Sequence, residues 1–174
     1  MLFRSGRLKI KKEPEALEEV IGGAIALILK RAPEQKIQVE MPEEVLMIPM
    51  DARLMEQVFV NLLDNAVKHS EPSDQITITV EAPERESGIR IEVADRGEGI
   101  SDADLPNIFE TFYTSSTRDA DSKQGIGLGL AICDTIIKAH GGSIRAENRA
   151  DGKGAVFTLK IPVNKEEGSN GALS

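Results

Sequence analysis

The sequence predicts one α+β domain carrying a single long irregular loop. Three observations predict it. Short stretches alternate apolar and polar residues with the period of a strand, and three longer ones carry apolar residues at helical spacing. From Arg96 to Gln124 neither period persists, and Gly, Asp, Ser and Thr dominate. A loop that long inside a compact domain is usually functional or disordered, so it is expected to be the mobile part of the chain.

Taken in order, Leu8, Ile10 and Lys12 read as a short strand. Pro14 suits the first turn of a helix, and apolar residues continue through Leu29 until Ala32-Pro33 stops it. Ile37, Val39 and Met41 alternate as a strand, and Val45 to Pro49 gives another extended piece. Asp51 is placed to cap a helix running to about His69. Gln75 to Val80 and Ile89 to Val93 alternate again, and the charged stretch between them, with Pro83 and Gly88, suggests a hairpin. Inside the long loop only Ile108-Phe109 and Phe112-Tyr113 form an apolar knot. Leu128 to Ala139 reads as an amphipathic helix ended by Gly141-Gly142. Ile144 to Glu147 and Ala155 to Ile161 follow as strands around an Asp151-Gly152-Lys153-Gly154 turn. Residues 1–13 are thus expected to be linker and first strand, 14–163 the domain, and 164–174 a polar tail.

With 174 residues, 40% of them hydrophobic, the chain can bury one ordinary core; with 3% aromatics and no Trp, that core must be aliphatic. A net charge of -8 argues against a nucleic-acid binder, which needs a basic face. An anionic ligand would have to be drawn in by local cations or a metal ion, because the overall field repels it. Cys133 is the one cysteine, which excludes an internal disulfide, and its place on the last helix suggests a core position. The longest apolar run, Val20 to Leu29, is too short to span a bilayer, and no signal-type segment opens the chain.

Three constellations carry chemistry, and each has a plain alternative. Asn61, Asn65 and Lys68, at spacings of four and three, share one helix face. An amide oxygen is a hard ligand for Mg²⁺ and a lysine meets phosphate as a point charge, but an exposed polar stripe would look the same. Asp95-Arg96-Gly97-Glu98-Gly99 follows a strand directly. Its aspartate can accept from an exocyclic amine and its glycines let backbone approach a flat ring, or it is an Asp-Gly turn. Gly125-Ile126-Gly127-Leu128-Gly129-Leu130 opens a helix, whose free N–H groups suit phosphate. No strand precedes it as in a dinucleotide fingerprint, and no Gly-Lys-Ser/Thr follows as in a P-loop. Gly152-Lys153-Gly154 reads as a turn only.

The order of these elements resembles the histidine kinases of the gyrase/heat-shock-chaperone/kinase/MutL ATPase superfamily. Met55 to Ser70 looks like the N box, Asp95 to Gly99 the first glycine box, Ile108 to Tyr113 the F box, and Gly125 to Ile132 the second glycine box, with His140-Gly141-Gly142 also fitting. The resemblance covers roughly Leu8 to Pro162. It implies a two-layer sandwich with helices on one face of a mixed sheet and a long mobile ATP lid. It further implies that Asn65 holds Mg²⁺ with Asn61 nearby, that Lys68 meets phosphate, and that Asp95 takes the adenine amine in a pocket shaped by Gly97 and Gly99. Gly125, Gly127 and Gly129, with Leu130 after them, would close over the phosphates. His69 falls where the family often has a Tyr beside adenine. The family often has Arg or Lys where Thr114 stands and Thr where Ile126 stands, so the γ-phosphate contact is open, with Arg118 and Lys123 as the nearby cations.

The hydrolase branches place a Glu, the general base on water, where this chain has Asn61, and an amide has no useful basicity. That favours a phosphotransferase. A serine-directed kinase or a non-catalytic nucleotide sensor are the alternatives. Neither His69 nor His140 sits in a phospho-acceptor pattern, and His140 is expected to cap a helix or lie on the surface. The acceptor is therefore expected on a separate histidine-bearing dimerisation domain, with a response regulator downstream. The fragment would be a monomeric cytoplasmic piece of a homodimeric parent attached to the bacterial membrane. Phe109 and Phe112 either pack the loop down or meet that helical domain. The stretch from Gly127 to Arg149 more narrowly resembles potassium/turgor-sensing histidine kinases.

Overall fold

The computed structural model describes residues 8–82, 88–113 and 128–163. Among them the order is β1 (Glu13–Ala16), α1 (Leu17–Arg31), β2 (Lys36–Glu40), β3 (Met47–Met50), α2 (Ala52–Lys68), β4 (Gln75–Glu81), β5 (Ile89–Ala94), a 3-10 turn (Leu105–Asn107), α3 (Gly129–Ala139), β6 (Ser143–Asn148) and β7 (Ala155–Ile161). Five strands form one sheet in the order β2-β4-β5-β7-β6, with β2 and β4 parallel and the other pairs antiparallel. Strict alternation places Ile76, Ile78, Val80, Ile91, Val93, Phe157 and Leu159 in the core on one sheet face. Against that core α2 packs between α1 and α3, giving the two layers that the family resemblance implies. The core is aliphatic apart from Phe59 and Phe157.

The first strand corrects the sequence reading. It lies at Glu13–Ala16, and not over Leu8 to Lys12, so Pro14 belongs to a strand and α1 begins three residues later. β1 pairs antiparallel with β3 as a separate ribbon in which Pro14 faces Pro49. A rung of two prolines has no N–H to give, so it can only be a pair without hydrogen bonds, and there both rings are tolerated. The Leu17 N–H then donates to the Leu46 oxygen at 3.0 Å as the chain turns into α1.

α2 has the expected cap, with Asp51 Oδ1 accepting the Leu54 N–H at 3.3 Å. Its buried face is Met55, Val58, Phe59, Leu62, Leu63 and Ala66. His140 is the C-cap of α3, one of the two places expected for it, but it is a buried cap and not a surface residue. It is 1% exposed and ties the end of α3 to the start of α2. The Asp51 N–H donates to its Nε2 at 3.0 Å, and its Nδ1 lies 2.8 Å from the Ile136 oxygen. An amide can only donate, so Nε2 is the acceptor and Nδ1 carries the proton of a neutral ring. Burial holds the His140 pKa below the ordinary histidine value. Asp51 Oδ2 in turn accepts the Lys11 N–H at 3.1 Å.

The segment after β5 holds more structure than its composition suggests. Ser101 Oγ donates to the buried Asp104 carboxylate at 2.7 Å, and Tyr113 Oη donates to the same carboxylate, which pushes the phenol above its usual range. Phe109 packs edge-on against Phe157, with centroids 6.2 Å apart, whereas Phe112 is 69% exposed with φ +64°. The two F-box phenylalanines therefore part company. Thr114, Arg118, Lys123, Gly125, Ile126, Gly127 and the expected tail at 164–174 lie outside the described residues.

Candidate nucleotide-binding site

The site is best followed along α2. In its middle, the Asn61 Nδ2–H donates to the Gly129 oxygen at 3.2 Å and ties α2 to the first residue of α3. One turn on, Asn65 is half-buried, and among the described residues no hydrogen bond falls on its side chain. Lys68 is exposed, and its Nζ lies 2.9 Å from Asp64 Oδ2. The three residues do share a face, but Lys68 is held by a carboxylate on the same helix.

At its end, α2 meets the first glycine box. His69 is the C-cap, with its Nδ1 3.7 Å from Glu98 Oε1. A Cβ added at Gly97 would stand 1.8 Å from the His69 carbonyl oxygen, so the close approach of two backbones dictates this glycine. Asp95, 2% exposed, follows β5 directly. Its Oδ1 accepts the N–H groups of Gly97 at 2.9 Å and Ala155 at 3.1 Å, while its own N–H donates to the Ala155 oxygen at 3.0 Å. Both side-chain bonds engage one oxygen, and among the described residues none falls on Oδ2. Asp95 is therefore more than a turn residue: it knits the end of β5 to the start of β7.

At α3, the N-terminus begins at Gly129 with no side-chain cap. A Cβ at Gly129 would meet only the Asn61 side chain, at 3.9 Å, so packing does not demand this glycine. Leu130 is partly buried against the core. Cys133 behind it is buried, with Sγ 3.7 Å from the Val58 oxygen and its pKa pushed up to about 12 by burial, an inert core position as expected. Among the described residues no cluster of three His, Cys, Asp or Glu side chains could hold a metal.

Three residues of the site's frame had no site role in the sequence reading. Asp104 had a local signal, the Ser-x-x-Asp pattern that caps a turn. Gly154, read as a turn residue, has φ +101°, and a Cβ there would stand 2.1 Å from the Asp95 oxygen, so it also forms the wall behind the aspartate. Asn148 bonds the backbone of Ile100, 48 residues away, and no local pattern could have announced it.

Comparison with known proteins agrees with this fold. Residues 50–165 match the family described as Histidine kinase-, DNA gyrase B-, and HSP90-like ATPase. The chain is 46% identical to the sensor protein KdpD of Clostridium acetobutylicum and 37% to that of Escherichia coli, in each case over 92% of its own length and 17% of the relative's. It thus spans about a sixth of these relatives. The catalytic domain of histidine kinase ThkA superposes with a TM-score of 0.74 at 31% identity, covering 88% of this chain and 96% of that one. Full-length ShkA in complex with AMPPNP gives 0.74 at 26%, over 91% and 32% of the two chains. Among the described residues no helix is long and apolar enough to cross a membrane. With the N-box helix, the aspartate-glycine loop and the uncapped α3 in place, the chain belongs to the histidine kinase-, gyrase B- and HSP90-like ATPase family, as a catalytic domain of the histidine kinase type.

Proposed function

We propose that this domain binds Mg-ATP between α2, the Asp95–Ile100 loop and the N-terminus of α3, and passes the γ-phosphate to a histidine on a separate dimerisation domain of a two-component sensor kinase. The observation that carries the reading is the Asp95 carboxylate. Oδ1 is committed to two backbone N–H groups, so Oδ2 is the oxygen left to accept the adenine amine. Gly97 and Gly99 offer main chain to the ring, and His69 borders it.

The donor set suits Mg²⁺ carried on a triphosphate. Asn65 supplies one neutral hard oxygen, and its amide is not engaged elsewhere among the described residues. When bound, the ion would neutralise phosphate charge. Lys68 would exchange Asp64 for a phosphate oxygen, and the uncapped N–H groups at Gly129 and Leu130 would face the phosphates. Gly125 and Gly127 join this group on sequence alone. Asn61 holds α3 in register and offers no base to water, which favours transfer over hydrolysis. That ShkA was solved with an ATP analogue, and ThkA with the response regulator TrrA, supports both the nucleotide and a downstream regulator. The 46% identity to the sensor protein KdpD supports a membrane-attached sensor-kinase parent; a potassium- or turgor-linked, homodimeric one is what the family resemblance implies.

The test is a titration with Mg-ATP, followed by γ-labelled ATP with the parent's histidine-bearing domain supplied in trans. Label should reach that domain and not the chain itself. Rapid multiple-turnover phosphate release by the chain alone would overturn the reading.

A further inference from the structure

Asn148 closes β6, yet its amide grips the loop that follows Asp95. Its Nδ2–H donates to the Ile100 oxygen and its Oδ1 accepts the Ile100 N–H, both at 2.7 Å. A carboxamide that reads both polar groups of one residue fixes the position and the roll of the backbone there. The two bonds also settle which way the amide faces. Gly99, with φ +79°, lies directly beneath: a Cβ there would stand 2.7 Å from Asn148 Oδ1. The amide's footing is equally defined. Asn148 faces Ala155 across the β6–β7 ladder, and Ala155 is the residue that exchanges bonds with Asp95. The next residue, Arg149, donates its N–H to the Gly154 oxygen at 2.9 Å, which braces the same corner.

We propose that Asn148 is a positioning residue for base recognition. It holds the Gly99–Ile100 backbone at a fixed offset from the Asp95 carboxylate, so that the glycine loop is already shaped to lie along a purine ring. The inference rests on the nucleotide reading above. A loop with two glycines has many conformations open to it, and the clamp selects one before the ligand arrives. Asn148 is exposed, and its bonds join a loop to a strand end without supporting the core. The penalty for losing them falls on binding, where the ligand must order the loop itself.

The test compares Asn148→Ala and Asn148→Asp with the unaltered chain, by calorimetric titration with Mg-ATP, Mg-ADP and adenosine and by melting without nucleotide. Asn148→Ala should weaken all three ligands by a common factor of roughly 3–10, as expected for one or two net hydrogen bonds. Asn148→Asp should be worse, because it keeps the acceptor but turns an anionic oxygen toward the Ile100 carbonyl. Melting should fall by no more than a few degrees, as expected for one or two surface bonds. Unchanged affinities in both variants would overturn the proposal. So would affinity losses that merely follow a lowered melting temperature, with the Asp variant no worse than the Ala variant. Asp95→Asn, titrated alongside, separates the two layers of the argument. If it weakens ATP while the Asn148 variants do not, this inference alone fails; if it too leaves ATP unchanged, the nucleotide reading fails.

Discussion

The two halves of the candidate site are built from different material. On the base side, main chain presses on main chain: Gly97 on His69, Gly154 on Asp95, and Ile100 in the grip of Asn148. On the phosphate side, side chains stand along α2 with light commitments, Asn65 to no partner among the described residues and Lys68 to Asp64. The base side is fixed by folding; the phosphate side is free to reorganise around a ligand. The contrast teaches that stability and activity should separate by half.

The largest expected effect is on the phosphate side. Asn65→Ala should lower phosphoryl transfer to the histidine-bearing domain by about 100-fold or more, because a metal's charge stabilisation is worth several kcal/mol. Its urea unfolding midpoint should barely move. A matching loss of stability would break the contrast. Gly97→Ala is the reverse case. A methyl carbon would meet a carbonyl oxygen at 1.8 Å, and neither backbone can yield cheaply. Chemical denaturation should show a loss of about 3 kcal/mol, the upper end for overpacking, with ATP binding lost as well.

Asp95→Asn sharpens the boundary. The two N–H groups on Oδ1 require the amide to present its oxygen to them, so its NH₂ must take the place of Oδ2. The fold keeps its bonds while adenine meets a donor instead of an acceptor. ATP affinity should fall by about 1.5–3 kcal/mol, read by titration, and GTP far less, since guanine presents a carbonyl at that position. Equal losses for the two nucleotides would show that the carboxylate does not read the base.

The smallest effect concerns the latch that joins the halves. The His140 pKa is lowered by burial, so the unfolded chain takes up the proton more readily than the folded one. Its contribution to stability is fully present above the ordinary histidine pKa of about 6.5 and is lost as pH falls below it. Urea midpoints should therefore drop between about pH 7 and 5, and His140→Gln should flatten that limb of the profile. A slope unchanged by the substitution would mean that another group titrates there.

Much of this was legible because the signals were local. Apolar alternation marked β2, β4, β5 and β7, and Asp51 announced the start of α2 four residues before its first buried side chain. The placement of Asn61, Asn65, Lys68 and Asp95 followed from helical period and from the end of a strand. What escaped depended on distant partners. Pro14 looks like a helix start until Pro49 is known to face it, and His140 looks like no more than a cap until the Asp51 N–H arrives from 89 residues away. Gly154 and Asn148 serve a loop that the chain visits some fifty residues earlier.

The neutral, doubly bonded ring of His140 has a practical consequence. The chain contains only two histidines, one beside the proposed adenine pocket and one locking α2 to α3. Nitrogen-15 labelling of the imidazoles would thus give a spectrum of two ring systems. The His69 resonances should respond to nucleotide arriving, while the His140 pair, with its Nδ1 protonated and Nε2 bare, should shift only when the two helices move relative to each other. Occupancy and internal motion could then be read in one tube from unmodified protein, each from its own signal.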